Sequence, residues 1–165
     1  MPDQPETSDQ PQTSDLPPVS DLTDHLGFWL RLVSNHVSHA FAARLADRDV
    51  TVAEWVTLRA LYGRPPLAPS RLADEMGMTR GAITKLADRL IAKGLVRRAA
   101  DPEDGRAQTL ALTPAGAALV PGLAALADAN DAACLEPLTP DERASLERLL
   151  RRIVDARGLA AVPID

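Results

Sequence analysis

The sequence predicts a mainly α-helical fold with one small β-hairpin: a winged helix-turn-helix core flanked by N- and C-terminal dimerisation helices. Three observations predict it. The stretch from Arg71 to Thr113, RLADEMGMTRGAITKLADRLIAKGLVRRAADPEDGRAQTLALT, has the spacing of two short helices joined by a tight turn, then two short strands around a charged tip. Long segments on either side of it repeat apolar residues at intervals of three and four, the period of an amphipathic helix. Aromatic residues make up only 3% of the chain while Ala, Leu and Arg dominate, which favours helix over sheet.

Within the core, Ala73 is small enough for two helices to cross closely. Gly77 can take the positive φ that ends the first of them, and Ile83 and Leu86 anchor the second. Residues 1–19, with the near-repeat DQPETSDQPQTSD, have almost nothing to bury and are expected to form a disordered acidic tail. A first long helix is expected to start directly after Ser20 or Asp21 and to end near Asp47–Asp49, on the stripe Leu22, Leu26, Trp29, Val33, Val37, Phe41 and Leu45. Thr51 and Glu54 form a T-x-x-E capping box that opens a second helix, stopped by Gly63 and Pro65–Pro66. A short helix opens at Pro69 or Ser70 and ends at Gly77. The next is capped by Thr79 and runs to Lys93, before Gly94.

Strands are expected near Leu95–Ala99 and Ala107–Leu112, with DPEDGR as the turn. Thr113–Pro114 starts a fifth helix, in which Pro121–Gly122 should produce a kink or a pause. Thr139, Pro140 and Glu142 open the last helix, whose apolar face is Leu146, Leu149, Leu150, Ile153 and Val154. The domain reading is therefore dimerisation helices over residues 20–50 and 113–158, a DNA-binding lobe over 51–112, and a short tail over 159–165. The terminal helices carry more apolar surface than one chain can cover, so a second copy of the chain is the expected partner.

The net charge of −5 has an awkward sign for a DNA binder, but its distribution removes the conflict. The first 24 residues hold six acidic side chains and no Lys or Arg, leaving the rest slightly basic, so global charge does not veto a local basic face. The lone Cys134 excludes a disulfide within the chain and suits a reducing cytoplasm. No apolar run is long enough for a membrane span, and the N-terminus lacks the pattern of a secretory signal.

On the second helix of the core, Ile83, Leu86, Ala87 and Leu90 should point inward. That leaves Arg80, Gly81, Thr84, Lys85, Asp88 and Arg89 facing out. Side chains near the start of a recognition helix reach base edges: Arg80 and Lys85 suit guanine, Thr84 suits a thymine methyl, and Gly81 leaves room for close approach. Arg89 is placed for phosphate. Arg97 and Arg98 alternate across a strand, so one should face phosphates and the other the body of the lobe. At the wing tip, Arg106 can reach a minor groove, with Asp104 holding its guanidinium.

These residues together resemble the MarR family of bacterial transcriptional regulators. The resemblance runs from about Leu26 to Val154 and is most specific in LADEMGMTRGAITKLADRLIAKGLVRR, DPEDGRA and the LTPAG of Leu112–Gly116. It implies a homodimer with interlocked terminal helices that binds double-stranded DNA at a pseudo-palindromic operator, as a repressor released by a small ligand or an oxidant. Two departures stand out: Gly105 replaces an Arg common in the family's wing, and Pro121–Gly122 interrupts a dimer helix.

The resemblance also implies an effector cleft lined by the first and second helices. Trp29, His36, His39 and Trp55 are the candidates to line it. His36 and His39 could equally be packing or hydrogen-bonded histidines, and too few partners accompany them for a metal site. Cys134 sits far from the first helix and reads as an inert thiol. The sequence has no Gly-rich phosphate loop, metal-protease pair or supported nucleophile triad, so neither an enzyme nor a cofactor is expected. The alternative reading is a winged helix used for protein contacts without operator binding.

Overall fold

Thr51 shows how closely local chemistry sets the boundaries. Its Oγ1 accepts from the Glu54 amide at 3.2 Å while the Glu54 carboxylate accepts from the Thr51 amide at 2.9 Å, the reciprocal box the sequence predicts. The computed structural model describes residues 17–100 and 108–159. The helices are α1 (Leu26–Ala46), α2 (Val52–Leu61), α3 (Pro69–Met76), α4 (Arg80–Ala92), α5 (Pro114–Cys134) and α6 (Pro140–Arg157). The strands β1 (Val96–Ala100) and β2 (Gln108–Leu112) lie between α4 and α5.

The chain divides into two units, Met1–Ser34 and Asn35–Asp165, and the division falls inside α1. In the first unit, α1 begins later than Ser20 or Asp21. Leu22–Asp24 form a 3-10 turn and His25 is extended, so the α-helix starts only at Leu26. The early start fails because the Asp24 carboxylate bonds back to the Asp21 amide at 3.0 Å, and acidic side chains that bond the backbone favour turns over helix. Trp29 Nε1 donates to the Thr23 carbonyl at 2.9 Å and pins this turn to the helix. Leu22, Leu26, Trp29, Leu30, Leu32 and Val33 are all exposed.

In the second unit the core is Leu45, Leu58, Leu61, Leu72, Met76, Ile83, Leu86 and Leu90 with Val96, Leu110, Val120 and Leu123. Pro69 occupies the first helical position of α3, and Gly77 ends that helix at φ 65, ψ 24, where a side chain would be strained. Thr79 caps α4 by accepting from the Ala82 amide. A partly exposed joint ties the far end of α4 to the start of α2: Lys93 Nζ bonds Glu54 Oε2 at 3.1 Å and the Asp49 carbonyl at 2.5 Å. Glu54 is thus both cap and counter-ion, which is what lets a carboxylate sit 1% exposed.

β1 and β2 pair antiparallel, Val96 opposite Leu112 and Ala100 opposite Gln108. Leu67 adds a single bridge to Leu110, with bonds of 3.0 and 2.8 Å. Pro65–Pro66 directly before it limit this third edge to one residue. The motif LTPAG has a tertiary reason. Thr113 Oγ1 accepts from the Gly116 amide and donates to the Gly94 carbonyl at 2.7 Å, and a Cβ on Gly116 would stand 2.1 Å from the Leu95 carbonyl oxygen. Only glycine lets α5 approach β1 this closely.

The expected pause at Pro121–Gly122 is not there: α5 runs unbroken from Pro114 to Cys134. Val120 and Leu123 are buried on either side while Pro121 itself is exposed, so packing carries the helix through. The missing N–H costs one bond on a side that water can reach. α6 opens on the Thr139–Glu142 capping box, and none of its side chains is buried.

Candidate DNA-binding face and effector cleft

The helix phase of α4 sorts its residues as the sequence predicts. Ile83, Leu86, Ala87 and Leu90 are buried, while Arg80, Gly81, Thr84, Lys85, Asp88 and Arg89 are exposed. Thr84 Oγ1 donates to the Arg80 carbonyl at 2.9 Å, so its hydroxyl proton is committed to the helix and its methyl stays available for apolar contact. An added Cβ on Gly81 would meet nothing within 4 Å, so the fold itself does not require glycine there.

The strand register places Arg98 opposite Leu110 and Arg97 opposite Ala111, on alternate faces. Arg98 turns to the body of the lobe, where its Nη2 pairs with Asp88 Oδ1 on α4 at 2.5 Å. Both side chains are about half exposed (42% and 55%), so the pair contributes at most about 1 kcal/mol to stability. Its value is geometric, since it braces the root of the hairpin against α4. Asp104 and Arg106, with Gly105, lie outside the described residues.

A second brace, this one bidentate, holds α3. Arg64 bonds both oxygens of Glu75 at 2.8 and 3.0 Å, and Arg71 adds a bond at 3.1 Å. The hydrogen bonds from Arg64 and then Arg71 pull the Glu75 carboxyl down to about 2, below its ordinary 4.5.

A cleft of about 360 Å³ lies between α1, α2 and α5. α1 contributes Val37, Ser38 and Phe41, α2 contributes Val52, Trp55 and Val56, and α5 contributes Ala127, Asp128, Asn130 and Asp131. Phe41 and Trp55 meet edge to face, with centroids 6.5 Å apart. Asn130 is 3% exposed. Its Nδ2 donates to the Val37 carbonyl at 3.2 Å, but Oδ1 has no partner among the described residues. A buried acceptor left in this state costs about 1–3 kcal/mol.

Of the four residues the sequence suggested for this cleft, Trp55 alone lines it. His36 and His39 are exposed and are not among its walls. The reason is helical phase: the side of α1 that faces α2 and α5 carries Val37, Phe41 and Leu45, and the histidine stripe beside it turns to solvent. Trp29 belongs to the first unit, tied to Thr23. Sequence reasoning missed Asn130, yet a signal existed. Asn130 follows Leu123 and Leu126 at helical spacing, a polar residue on an apolar stripe.

A family model described as the MarR family matches residues 48–107. An HTH-type transcriptional repressor of Mycobacterium tuberculosis, Rv2887, is 30% identical over 128 residues, covering 78% of this chain and 92% of the relative. The chain belongs to the MarR family. Among solved structures, a mutant MarR of Escherichia coli complexed with operator DNA is 29% identical with a TM-score of 0.71, over 82% of this chain and 99% of that one. A structure describing regulation of DNA binding of Bordetella bronchiseptica BpsR by 6-hydroxynicotinic acid matches with a TM-score of 0.72 at 25% identity, over 84% and 99% of the two chains. This MarR-family chain is a DNA-binding transcriptional regulator, relatives such as Rv2887 are named as transcriptional repressors rather than enzymes, and no helix among the described residues is long and apolar enough to cross a membrane.

Proposed function

We propose that this MarR-family regulator is a repressor that binds a pseudo-palindromic operator as a homodimer and is released by a small molecule seated in the cleft beside Trp55. The observation that carries the DNA reading is the two-sided burial of α4: four inward residues fix the helix in the lobe, and its outer face, apart from the Asp88 that pairs with Arg98, is left to an external partner. Arg80, Thr84 and Lys85 at the start of that face read base edges, and Gly81 leaves room for close approach. Arg89 and Arg97 take phosphates, and Arg98 braces the wing. Arg106 enters the minor groove, with Asp104 beside it. The open space at Gly81 supports a close approach of the DNA backbone, because nothing inside the protein explains the missing side chain.

The homodimer is supported by two exposed apolar faces, Leu26, Trp29, Leu30 and Val33 on α1 and Leu149, Leu150, Ile153 and Val154 on α6. Effector release is supported by the cleft and by the regulation of BpsR by 6-hydroxynicotinic acid. The deciding experiment is a gel-shift titration at two salt concentrations, with DNA from upstream of the protein's own gene and a scrambled control. Salt-sensitive binding that prefers the upstream fragment is expected. No binding to any DNA at low salt would overturn operator recognition and favour a winged helix used for protein contacts.

A further inference from the structure

The polar chemistry of the cleft is one-sided. Asp128 and Asp131 stand one helical turn apart on α5, on the same side of the helix. Asn130 Oδ1 is buried and unpartnered, while its Nδ2 is already used by the Val37 carbonyl. The Ser38 hydroxyl and the Trp55 indole N–H are the remaining polar groups, two donors against five side-chain oxygens of Asp128, Asp131 and Asn130, and no Lys, Arg or His is among the described residues that wall the cleft. The cleft therefore has acceptors and negative charge in excess, around the aromatic pair Phe41 and Trp55.

We infer that this cleft selects an amine: a compound with an aromatic body and a protonated nitrogen, discriminated against its carboxylate counterpart. This rests on the reading that the cleft holds the effector. An ammonium group has donors and no acceptors, the complement of what the walls supply. Asp128 and Asp131 attract its charge, and the faces of Phe41 and Trp55 favour a cation over an anion. A carboxylate of the same size brings only acceptors, meets two like charges, and finds no cation among the described walls. The amine nitrogen approaches the rim carboxylates first, and a donor that reaches Asn130 as the side chains readjust satisfies its bare oxygen.

The test is isothermal titration of the full chain with three probes of nearly equal size: 2-phenylethylamine, 2-phenylethanol and 3-phenylpropionate. The amine is expected to bind about tenfold or more tighter than the acid, the alcohol falling between, with the preference shrinking as salt rises. Asp128→Asn with Asp131→Asn should erase the preference; both positions are exposed, so the fold survives. Equal or tighter binding of the acid, or no binding of the amine at millimolar concentration, overturns the inference. A Ser38→Trp variant, checked for native helicity by circular dichroism, separates this from the parent reading. If that plugged cleft still binds the acid or the amine as the native chain does, the site itself is elsewhere. If it loses an acid-preferring site, the effector cleft stands and only the amine chemistry fails.

Discussion

Helices α4 and α6 are both amphipathic and of comparable length, yet they end in opposite states. α4 buries Ile83, Leu86, Ala87 and Leu90 against its own chain and exposes a polar face. α6 has Leu149, Leu150, Ile153 and Val154 on one side and buries none of its residues, with these four between 41% and 48% exposed. An apolar stripe is thus a demand for a partner, and the sequence does not say whether that partner lies in the same chain. The lobe around α4 answers the demand internally. The terminal helix passes it outward, which makes the folding of the lobe and the proposed assembly separable by mutation.

The sharpest way to break this contrast is a pair of substitutions. Leu86→Ala removes a fully buried side chain at the centre of the lobe and should lower unfolding free energy by about 2–5 kcal/mol, read by urea denaturation. Ile153→Asp should leave the lobe folded and instead weaken the proposed dimer; the side chain is 48% exposed, so the lost apolar burial is about 1 kcal/mol per protomer, read by sedimentation equilibrium. An unchanged oligomeric state in Ile153→Asp would mean that the α6 stripe is not the interface. Operator affinity should fall with dimer dissociation in that variant, because two half-sites about one helical turn apart need both lobes.

A smaller effect tests the exposed side of α4. Arg80→Ala should weaken operator binding by about 1–3 kcal/mol and relax specificity at one position in each half-site. Its thermal stability should stay within about 0.5 kcal/mol of the native chain, since Arg80 is exposed and makes no side-chain bond among the described residues. Equal loss of affinity for the operator and for scrambled DNA would move Arg80 from base to phosphate contact.

Much of this organisation was legible in the residues themselves. Capping boxes at Thr51–Glu54 and Thr139–Glu142, the Thr79 cap and the Gly77 stop are local signals that need no tertiary knowledge, and each stands where its chemistry places it. What stayed hidden depends on distant neighbours. Pro121 reads as a breaker until Val120 and Leu123 are seen packed on either side of it. Gly116 looks like any early-helix glycine until the Leu95 carbonyl is found 2.1 Å from its would-be Cβ. The effector candidates failed on α1 for a subtler reason: two adjacent stripes were visible, and only packing against α2 and α5 shows that Val37 and Phe41, not His36 and His39, face the cleft. Lys93 could not be matched to Glu54 from sequence, because 39 positions separate them.

The smallest effect concerns pH and probes how the lobe keeps its helix-turn-helix geometry without a partner. Glu75 on α3 takes two bonds from Arg64 and one from Arg71, which hold its carboxyl near 2 instead of 4.5. A carboxyl whose folded value is depressed stabilises the fold fully above its unfolded value, and that contribution fades as pH falls from 4.5 toward 2. The carboxylate is 36% exposed, so solvent screening keeps the gain small. The native chain should therefore melt slightly above Glu75→Gln at neutral pH, with a gap that is flat above about pH 5.5 and closes on acidification. A gap that persists unchanged down to pH 3 would show that Glu75 acts through packing rather than charge. In α6 the corresponding i,i+4 pair, Arg151 with Glu147, is 76% and 63% exposed and braces nothing beyond its own helix. Glu147→Gln should accordingly give no measurable gap at any pH, so the two glutamates report the same contrast as the two helices: one folded into its own lobe, the other still facing outward.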